Sequence, residues 1–490
     1  MVPFFRNLNR NPFSFLVSLI VAGSLGSCRI QHNPESVPAM SVPKVYVGRA
    51  DGRADSVSIG DWSHRDLFAD PNLVALIDTA MARNPNMKIA FQRIEMAQAN
   101  YGISQGALRP RVDAVATAGV ERYGRYTLNG VGNYDTNLSG NVSGSSRIPN
   151  PTPDYFVGLR SSWEVDIWGK LRNRRRAAYT RVIASQEGQN LVATVLTADV
   201  ARLYYSLLAL DAELEIIVEN VELQQKALEL VEVQKAAGRV TELAVQQFRA
   251  QLLNTRGLEG RVKQEVVETE NQLNVLLGRY PQTVARGASI EKQSLPATVS
   301  AGLPAQLVYR RPDIRQAERE LEAFHIDVAV ARAEFLPSLN LAPYLGFNAF
   351  RPNVLLNPQS LALGILGGLA APVINRQQLK GNLAITTAQS REAYYAYQRA
   401  ILTGVSEVVS NLKGLENYRN VAGFQQEEVA VLRQAATTSN ELFANGYATY
   451  LEVITAQRNV LEAELALITT KRAQFLELVS LYRALGGRAK

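Results

Sequence analysis

The 490-residue sequence predicts a mixed, mainly helical fold in which one plan is written twice. Each half is expected to hold two long strands followed by two very long helices. Three observations lead there. Punctuating prolines and glycines recur at fixed offsets. The residues after Pro110 and Pro337 switch from a helical to a two-residue period. The stretches beyond carry no proline but a steady heptad rhythm.

The repeat comes first. Asn84-Pro85 opens a helical run that stops at Arg109-Pro110, and Arg311-Pro312 opens another that stops at Leu336-Pro337. At this offset of 227, Ala90 matches Ala317, Glu95 matches Glu322 and Gly119 matches Gly346. Further on the offset is 208, pairing Gly238 with Gly446, Leu243 with Leu451, Leu273 with Leu481 and Gly278 with Gly486. The first copy therefore carries 19 more residues in between. They belong to residues 124–154, whose Gly, Asn, Ser and Pro read as a long surface loop. Two copies are too few for a solenoid, so the repeat is internal pseudo-symmetry.

Ahead of the repeat lies a targeting segment. Arg6 and Arg10 precede an apolar run over residues 13–25, too short to span a bilayer as a helix. Leu25-Gly26-Ser27-Cys28 follows and resembles a bacterial lipobox. Cys28 is the only cysteine. It is expected to become the first residue of the mature chain, carrying N-palmitoyl and S-diacylglycerol groups that tether it to a leaflet. Arg29, where an aspartate would favour the inner membrane, points outward. Loss of residues 1–27 removes two arginines and no acids, so the net charge falls from +7 to +5.

Strands are expected over residues 110–123, 154–168, 337–350 and 361–374. Val112, Ala114, Ala116, Ala118 and Val120 alternate with Arg111, Asp113, Thr117 and Glu121. Tyr155, Val157, Leu159, Trp163, Val165 and Ile167 fall on one face, and Gly158, Arg160, Ser162, Glu164 and Asp166 on the other. Leu339, Leu341, Leu345 and Phe347 alternate with Ser338, Asn340, Tyr344 and Asn348, while the fourth segment is Gly-rich. Such lengths suit tilted membrane strands. An open four-stranded sheet leaves edges that lipid cannot satisfy, so several chains must combine. Trp163, Trp168, Tyr155 and Phe156 are candidates for an interfacial aromatic girdle. The basic group Lys170, Arg172, Arg174, Arg175 and Arg176 reads either as a head-group contact or as a solvated helix start.

Long helices are expected over residues 175–237, 240–279, 378–444 and 448–486. Leu196, Val200, Leu203, Leu207, Leu210, Leu214, Ile217 and Val221 keep heptad spacing, and Ile401, Val405, Val408, Leu412 and Leu415 repeat it. Gly238 and Gly446 suit the turn between outgoing and returning helices, and Gly278 and Gly486 the ends of the returns. The chain thus divides into a leader (1–27), a lipidated segment (28–70), a first repeat (71–281), a linker (282–308) and a second repeat (309–490).

Composition excludes more than it assigns. Basic residues are interleaved with acids along the helices, which reads as solvated surface and not as a nucleic-acid site. His32, His64 and His325 lie far apart, so no metal site is expected. Walker, Rossmann, GxSxG and HExxH patterns are missing from the sequence, and no catalytic residue or enzyme activity is expected.

Three motifs then resemble one family. Arg310-Arg311-Pro312-Asp313-Ile314-Arg315-Gln316-Ala317-Glu318, with Val330-Ala331-Arg332-Ala333-Glu334-Phe335-Leu336-Pro337-Ser338-Leu339, is similar to the second-repeat signature of TolC-like outer-membrane factors. Ser162-Trp163-Glu164-Val165-Asp166-Ile167-Trp168-Gly169-Lys170-Leu171-Arg172 resembles the segment leaving the barrel. Gly446 with Tyr450-Leu451-Glu452-Val453-Ile454-Thr455-Ala456-Gln457-Arg458 resembles the second helical tip. The lipobox points to the NodT- or OprM-type lipoprotein branch.

The resemblance implies a homotrimer whose twelve-stranded transmembrane barrel continues into a twelve-helix tube, girdled by an equatorial belt, in the outer membrane and reaching into the periplasm. It implies a duct for small toxic molecules such as drugs, joined to a periplasmic adaptor (a membrane fusion protein) and an inner-membrane pump of the resistance–nodulation–division (RND) type. A protein-secretion duct and a pore-less coiled-coil lipoprotein are the alternatives. By position, Leu451 corresponds to an apolar constriction of the periplasmic gate. Thr455 stands where many members have aspartate, so an acidic ring there is either supplied by Glu452 or missing. Gly238, Arg239, Gly446 and Tyr447 mark the tips expected to meet the adaptor.

Overall fold

The computed structural model describes Pro43, Tyr46 and residues 58–487, apart from Ser143, Ser145, Ala297, Thr298 and Asn375. The lipobox at Cys28 lies outside them. Two short helices, α1 (His64–Leu67) and α2 (Pro71–Arg83), lead into α3 (Pro85–Gly106). Strand β1 (Arg111–Glu121), a loop with helix α4 (Leu128–Leu138) and strand β2 (Thr152–Val165) follow. The 67-residue α5 (Lys170–Ala236) then runs out and α6 (Glu242–Leu276) returns. After α7 (Pro304–Arg310) the plan repeats as α8 (Pro312–Ala333), β3 (Ser338–Ala349), β4 (Leu361–Ala370), the 68-residue α9 (Gln377–Ala444) and α10 (Tyr450–Ala484). At 1.5 Å per residue α5 is about 100 Å long.

The duplication is close to exact in length: α3 and α8 both have 22 residues, and α6 and α10 both have 35. Contacts order the helices α3–α5–α8–α9 in one tier and α6–α5–α10–α9 in the other. A short and a medium helix thus stand end to end beside each unbroken long one. The junctions are built alike. Asn84 Nδ2 donates to the Leu276 carbonyl at 2.7 Å, and Arg311 Nη1 donates to the Ala484 carbonyl at 3.0 Å. Those carbonyls are the orphan acceptors of a helix end, which need a partner when buried. Because α5 is flanked on both sides, its middle is buried far beyond a two-per-heptad seam, from Ala193 through Ala212.

All four helix ends that the glycines mark close in the same way. Gly238, Gly278, Gly446 and Gly486 have φ between 63° and 81°. In the first turn, Gly238 N–H donates to Lys235 O at 2.8 Å and Arg239 N–H to Gln234 O at 2.9 Å. The same pair of bonds recurs at Gly446 and Tyr447, as a Schellman cap requires.

The sheet is a four-stranded antiparallel meander in sequence order, with β2 paired to β3 across the two halves. Its register aligns Ala114, Leu159, Leu345 and Leu363 in one row and Ala116, Val157, Phe347 and Leu361 in the next. One face is therefore apolar from edge to edge. The other carries Asp113, Arg160, Tyr344 and Gly364 in a row. On that second face the Phe156 ring lies over the opposed Gly158 and Gly346, and the Tyr344 ring over Gly364; a Cβ at Gly346 would meet the Phe156 ring at 2.7 Å.

Several expectations are corrected here. Phe156 points to the face opposite Tyr155 and Trp163 and is buried, so it is not part of a girdle with them. Trp163 and Trp168 donate their indole N–H groups to the carbonyls of Leu108 at 3.2 Å and Pro337 at 2.6 Å, pinning the strand ends. Strand β2 stops at Val165, short of Ile167, because Asp166 folds back to accept the N–H groups of Leu171 and Arg172. The basic group lies within the first two turns of α5. There Lys170 pairs with Glu164 of β2 at 2.5 Å, Arg172 with Asp166 just past it at 3.0 Å and Arg174 with Glu334 at the end of α8 at 3.3 Å, while Arg172, Arg174 and Arg176 stay about half or more exposed, as at a solvated helix start. The first loop contains a helix that its composition did not announce.

Candidate functional site at the helical tips

The sequence brings its candidate site residues to the free ends of the two helical hairpins. Leu228, Val231, Val245, Phe248 and Leu252 of the first hairpin form a buried cluster near the tip, joined by Val453 of the second. Phe443, Tyr450 and Ile454 pack on its flank. This core holds the two turns side by side.

Residues at equivalent places in the two turns differ in chemistry. In the first, Lys235 pairs with Glu242 across the turn, and Arg249 with Glu232 at 2.9 Å. The bond from Lys235 holds the Glu242 carboxyl below the usual glutamate range. At offset 208 the second turn has Phe443 and Tyr450 in place of the first pair, and Gln457 and Asn440 in place of the second. The Gln457 amide reaches Asn440 at 3.4 Å. The first turn is laced by charge and the second is not.

Glu452 has a local task. Its Oε2 accepts from the Thr449 backbone N–H at 2.6 Å and from the Thr449 hydroxyl at 2.8 Å, the glutamate half of a capping box on α10. The backbone bond, with the hydroxyl bond next, keeps its carboxyl below the usual range. The equivalent residue of the first half, Ala244, provides no such cap.

Leu451 and its counterpart Leu243 are 56% and 54% exposed, so neither is a seam residue within the chain. Thr455 stands one turn beyond Leu451 on the same side of α10 and is half-buried. Tyr447 is almost fully exposed, and Gly238, Arg239 and Gly446 are exposed with it. The structure thus gathers Leu451, Glu452 and Thr455 on the first turns of α10, with all four turn residues beyond them. An open, mainly apolar groove of about 650 Å³ runs along one face of α9 beside them, lined by Val431, Thr438 and Leu442 and closed at the turn by Glu452. The capping role of Glu452 was missed, although Thr449 and Glu452 stand at capping-box spacing. Among the described residues no group of three His, Cys, Asp or Glu is placed to hold a metal ion.

Known proteins share this architecture. The family model described as "Outer membrane efflux protein" matches residues 76–279 and 303–487. The cation efflux system protein CusC of Escherichia coli K12 is 27% identical over 476 residues, covering 96% of this chain and 99% of that protein. The pyoverdine export outer membrane protein OpmQ of Pseudomonas aeruginosa is 30% identical over 465 residues, covering 94% of each. A crystal structure of CusC superposes with a TM-score of 0.77 at 25% identity, over 92% of this chain and 98% of that one.

Proposed function

The chain belongs to the outer membrane efflux protein family and is the outer-membrane channel component of an efflux system, and from that footing we propose that three copies join edge to edge into one duct. The observation that carries this is the pair of open edges on a sheet whose whole face is apolar. Strands β1 and β4 each have one neighbour, and bilayer hydrocarbon offers nothing to bond an unpaired strand edge. Three four-stranded sheets supply twelve strands and close a barrel with the apolar face to lipid and the Arg160–Tyr344 face to the lumen. The helices support the same reading. Exposed apolar residues recur seven apart as Leu223 and Leu230 on α5, and as Tyr395 and Leu402, then Phe424 and Val431, on α9. Such spacing is a seam for a neighbouring helix.

In this duct the tips at Gly238, Arg239, Gly446 and Tyr447 meet a periplasmic adaptor, and an RND-type pump in the inner membrane supplies the energy. Leu451 is the apolar constriction of the gate, and Glu452 sets the backbone that presents it, with Thr455 next inward. The cargo is small molecules, in keeping with relatives named for cations and for pyoverdine. Acyl groups on Cys28 hold the mature N-terminus to the membrane.

Purified chain, run unheated and boiled on a denaturing gel and then added to planar bilayers, tests the proposal. A heat-dissociable trimer band with stepwise conductance supports it. A monomer that conducts nothing refutes the three-copy duct.

A further inference from the structure

Helix α4, in the loop between β1 and β2, is built inside out. Its polar side faces the protein. Asn133 Nδ2 donates to the Thr152 hydroxyl at 3.2 Å, while Asn137 donates to the Ile148 carbonyl at 2.8 Å and accepts the Ile148 N–H at 3.0 Å. Thr127 caps its start by accepting the Gly130 N–H at 3.1 Å. The opposite side carries Leu128, Val131, Tyr134 and Leu138, spaced three, three and four apart as one helical stripe. All four are exposed, between 47% and 90%, and α4 buries no residue of its own. Arg351 of the second loop clasps the first by donating to the carbonyls of Gly144 and Arg147, both at 3.0 Å. The stripe is thus held in place with nothing among the described residues to cover it.

We propose that the covering surface is the same helix of the other copies, so that three α4 stripes meet over the lumen as a lid on the outer mouth. This rests on the three-copy duct proposed above. Thr152, the anchor of Asn133, pairs with Glu121 at the outer end of the sheet, on the polar face that looks into the lumen. The helix is long enough. Twelve strands about 4.8 Å apart, tilted by about 40°, enclose a backbone radius of about 12 Å, and the 11 residues of α4 span about 16 Å.

Charge argues against lipid as the covering surface. A helix lying on an anionic membrane surface places Lys and Arg on its polar side. The one charge of α4 is Asp135, which falls on the stripe itself, four residues after Val131 and three before Leu138. Exposed apolar residues gathered on one side of a helix mark a contact surface, and three identical stripes around a threefold axis cover one another.

Two variants of the full chain that each add one cysteine to the native Cys28, Tyr134→Cys on the stripe and Thr136→Cys on the far side, test the lid under mild oxidation. Unheated gels first establish whether each variant is trimeric. The lid requires covalent dimers from Tyr134→Cys and none from Thr136→Cys or the native chain. It also requires a severalfold rise in bilayer conductance for the triple variant Val131→Ser, Tyr134→Ser, Leu138→Ser. A trimer in which Tyr134→Cys does not cross-link overturns the lid and leaves the duct standing. Protection of that cysteine from aqueous maleimide by lipid vesicles then assigns the stripe to the bilayer. A chain that forms no trimer overturns the duct reading itself.

Discussion

Replacing Arg311 tests the structural logic of the duplicated plan. Its guanidinium is buried at the joint between α8 and α10. It donates to Ala484 O at 3.0 Å, to Glu407 at 2.7 Å and, through two nitrogens, to Asp313 at 3.0 and 2.8 Å. Burial disfavours the cation, but these carboxylates outweigh it and raise the pKa of Arg311 further. Arg311→Ala strands two carboxylates that are each 28% exposed. Removing one partner of a buried pair costs about 3–5 kcal/mol. Partial exposure, together with the second bond of Glu407 to Arg483 at 3.3 Å, puts the cost at the lower end, about 3 kcal/mol. At the matching joint of the first half, Asn84→Ala removes one hydrogen bond and one helix cap, together about 1–2 kcal/mol. Arg311→Lys keeps a cation but not the fork and falls between them. Thermal loss of the 222 nm helical signal in detergent should therefore set in earliest for Arg311→Ala, then Arg311→Lys, then Asn84→Ala. If Arg311→Ala is no less stable than Asn84→Ala, the joint is not held by this side chain.

Acid should loosen the second tip. The folded-state pKa of Glu452 is depressed, so the cap contributes at and above the usual glutamate range and is lost as pH falls through the lower folded value. Protection from hydrogen exchange at residues 449–453, corrected for the intrinsic rate at each pH, should fall on acidification in the native chain, while Glu452→Gln should be weakly protected already at neutral pH; identical profiles refute the cap. Gly278→Ala should be worse than Gly238→Ala. Both force a positive φ on alanine, about 1–2 kcal/mol, but a Cβ at Gly278 also meets the Arg83 carbonyl at 2.6 Å while at Gly238 nothing lies within 4 Å. Equal melting points would refute the difference. Leu451→Ser should raise leak conductance in planar bilayers, and an unchanged leak removes Leu451 from the gate. Cys28→Ser should abolish incorporation of a palmitate label, and continued labelling refutes acylation at that residue.

The features legible in sequence were those that repeat or alternate. Val157, Leu159 and Trp163 announced their strand because lipid and lumen make opposite demands on alternate residues. Gly238 and Gly446 announced the turns because a helix that must stop favours a residue free to take positive φ. The joints were not legible. Arg311 stood out as part of a family signature, but its bond to Ala484 spans 173 residues and its counterpart at position 84 is asparagine. Helix α4 was hidden by its own composition. Glycine and asparagine are poor helix formers, and the helix is sustained by the Thr127 cap and by bonds to Thr152 and Ile148 that no local pattern shows.

The two hairpins are alike in length, so their chemistry decides which one yields first. The first owns nearly the whole tip core: Leu228, Val231, Ala244, Val245, Phe248 and Leu252 are all its residues. It is also tied by the Lys235–Glu242 and Arg249–Glu232 pairs. The second contributes Val453 to that core and is tied by the Glu452 cap and a 3.4 Å amide contact. The 650 Å³ groove lies along one face of α9 beside Glu452, while farther from the turn α9 and α10 are joined by Val429, Ala463 and Leu467 and by Arg433 to Glu464 at 2.6 Å. Parting the hairpins uncovers one shared surface whichever moves, and the first keeps its own cluster around Phe248 within itself. The second brings to that surface Val453 and the flank of Phe443, Tyr450 and Ile454. The first tip, which holds most of that cluster and both ion pairs within itself, is therefore the more tightly built of the two, and the second, which carries Leu451, has fewer contacts of its own at its turn.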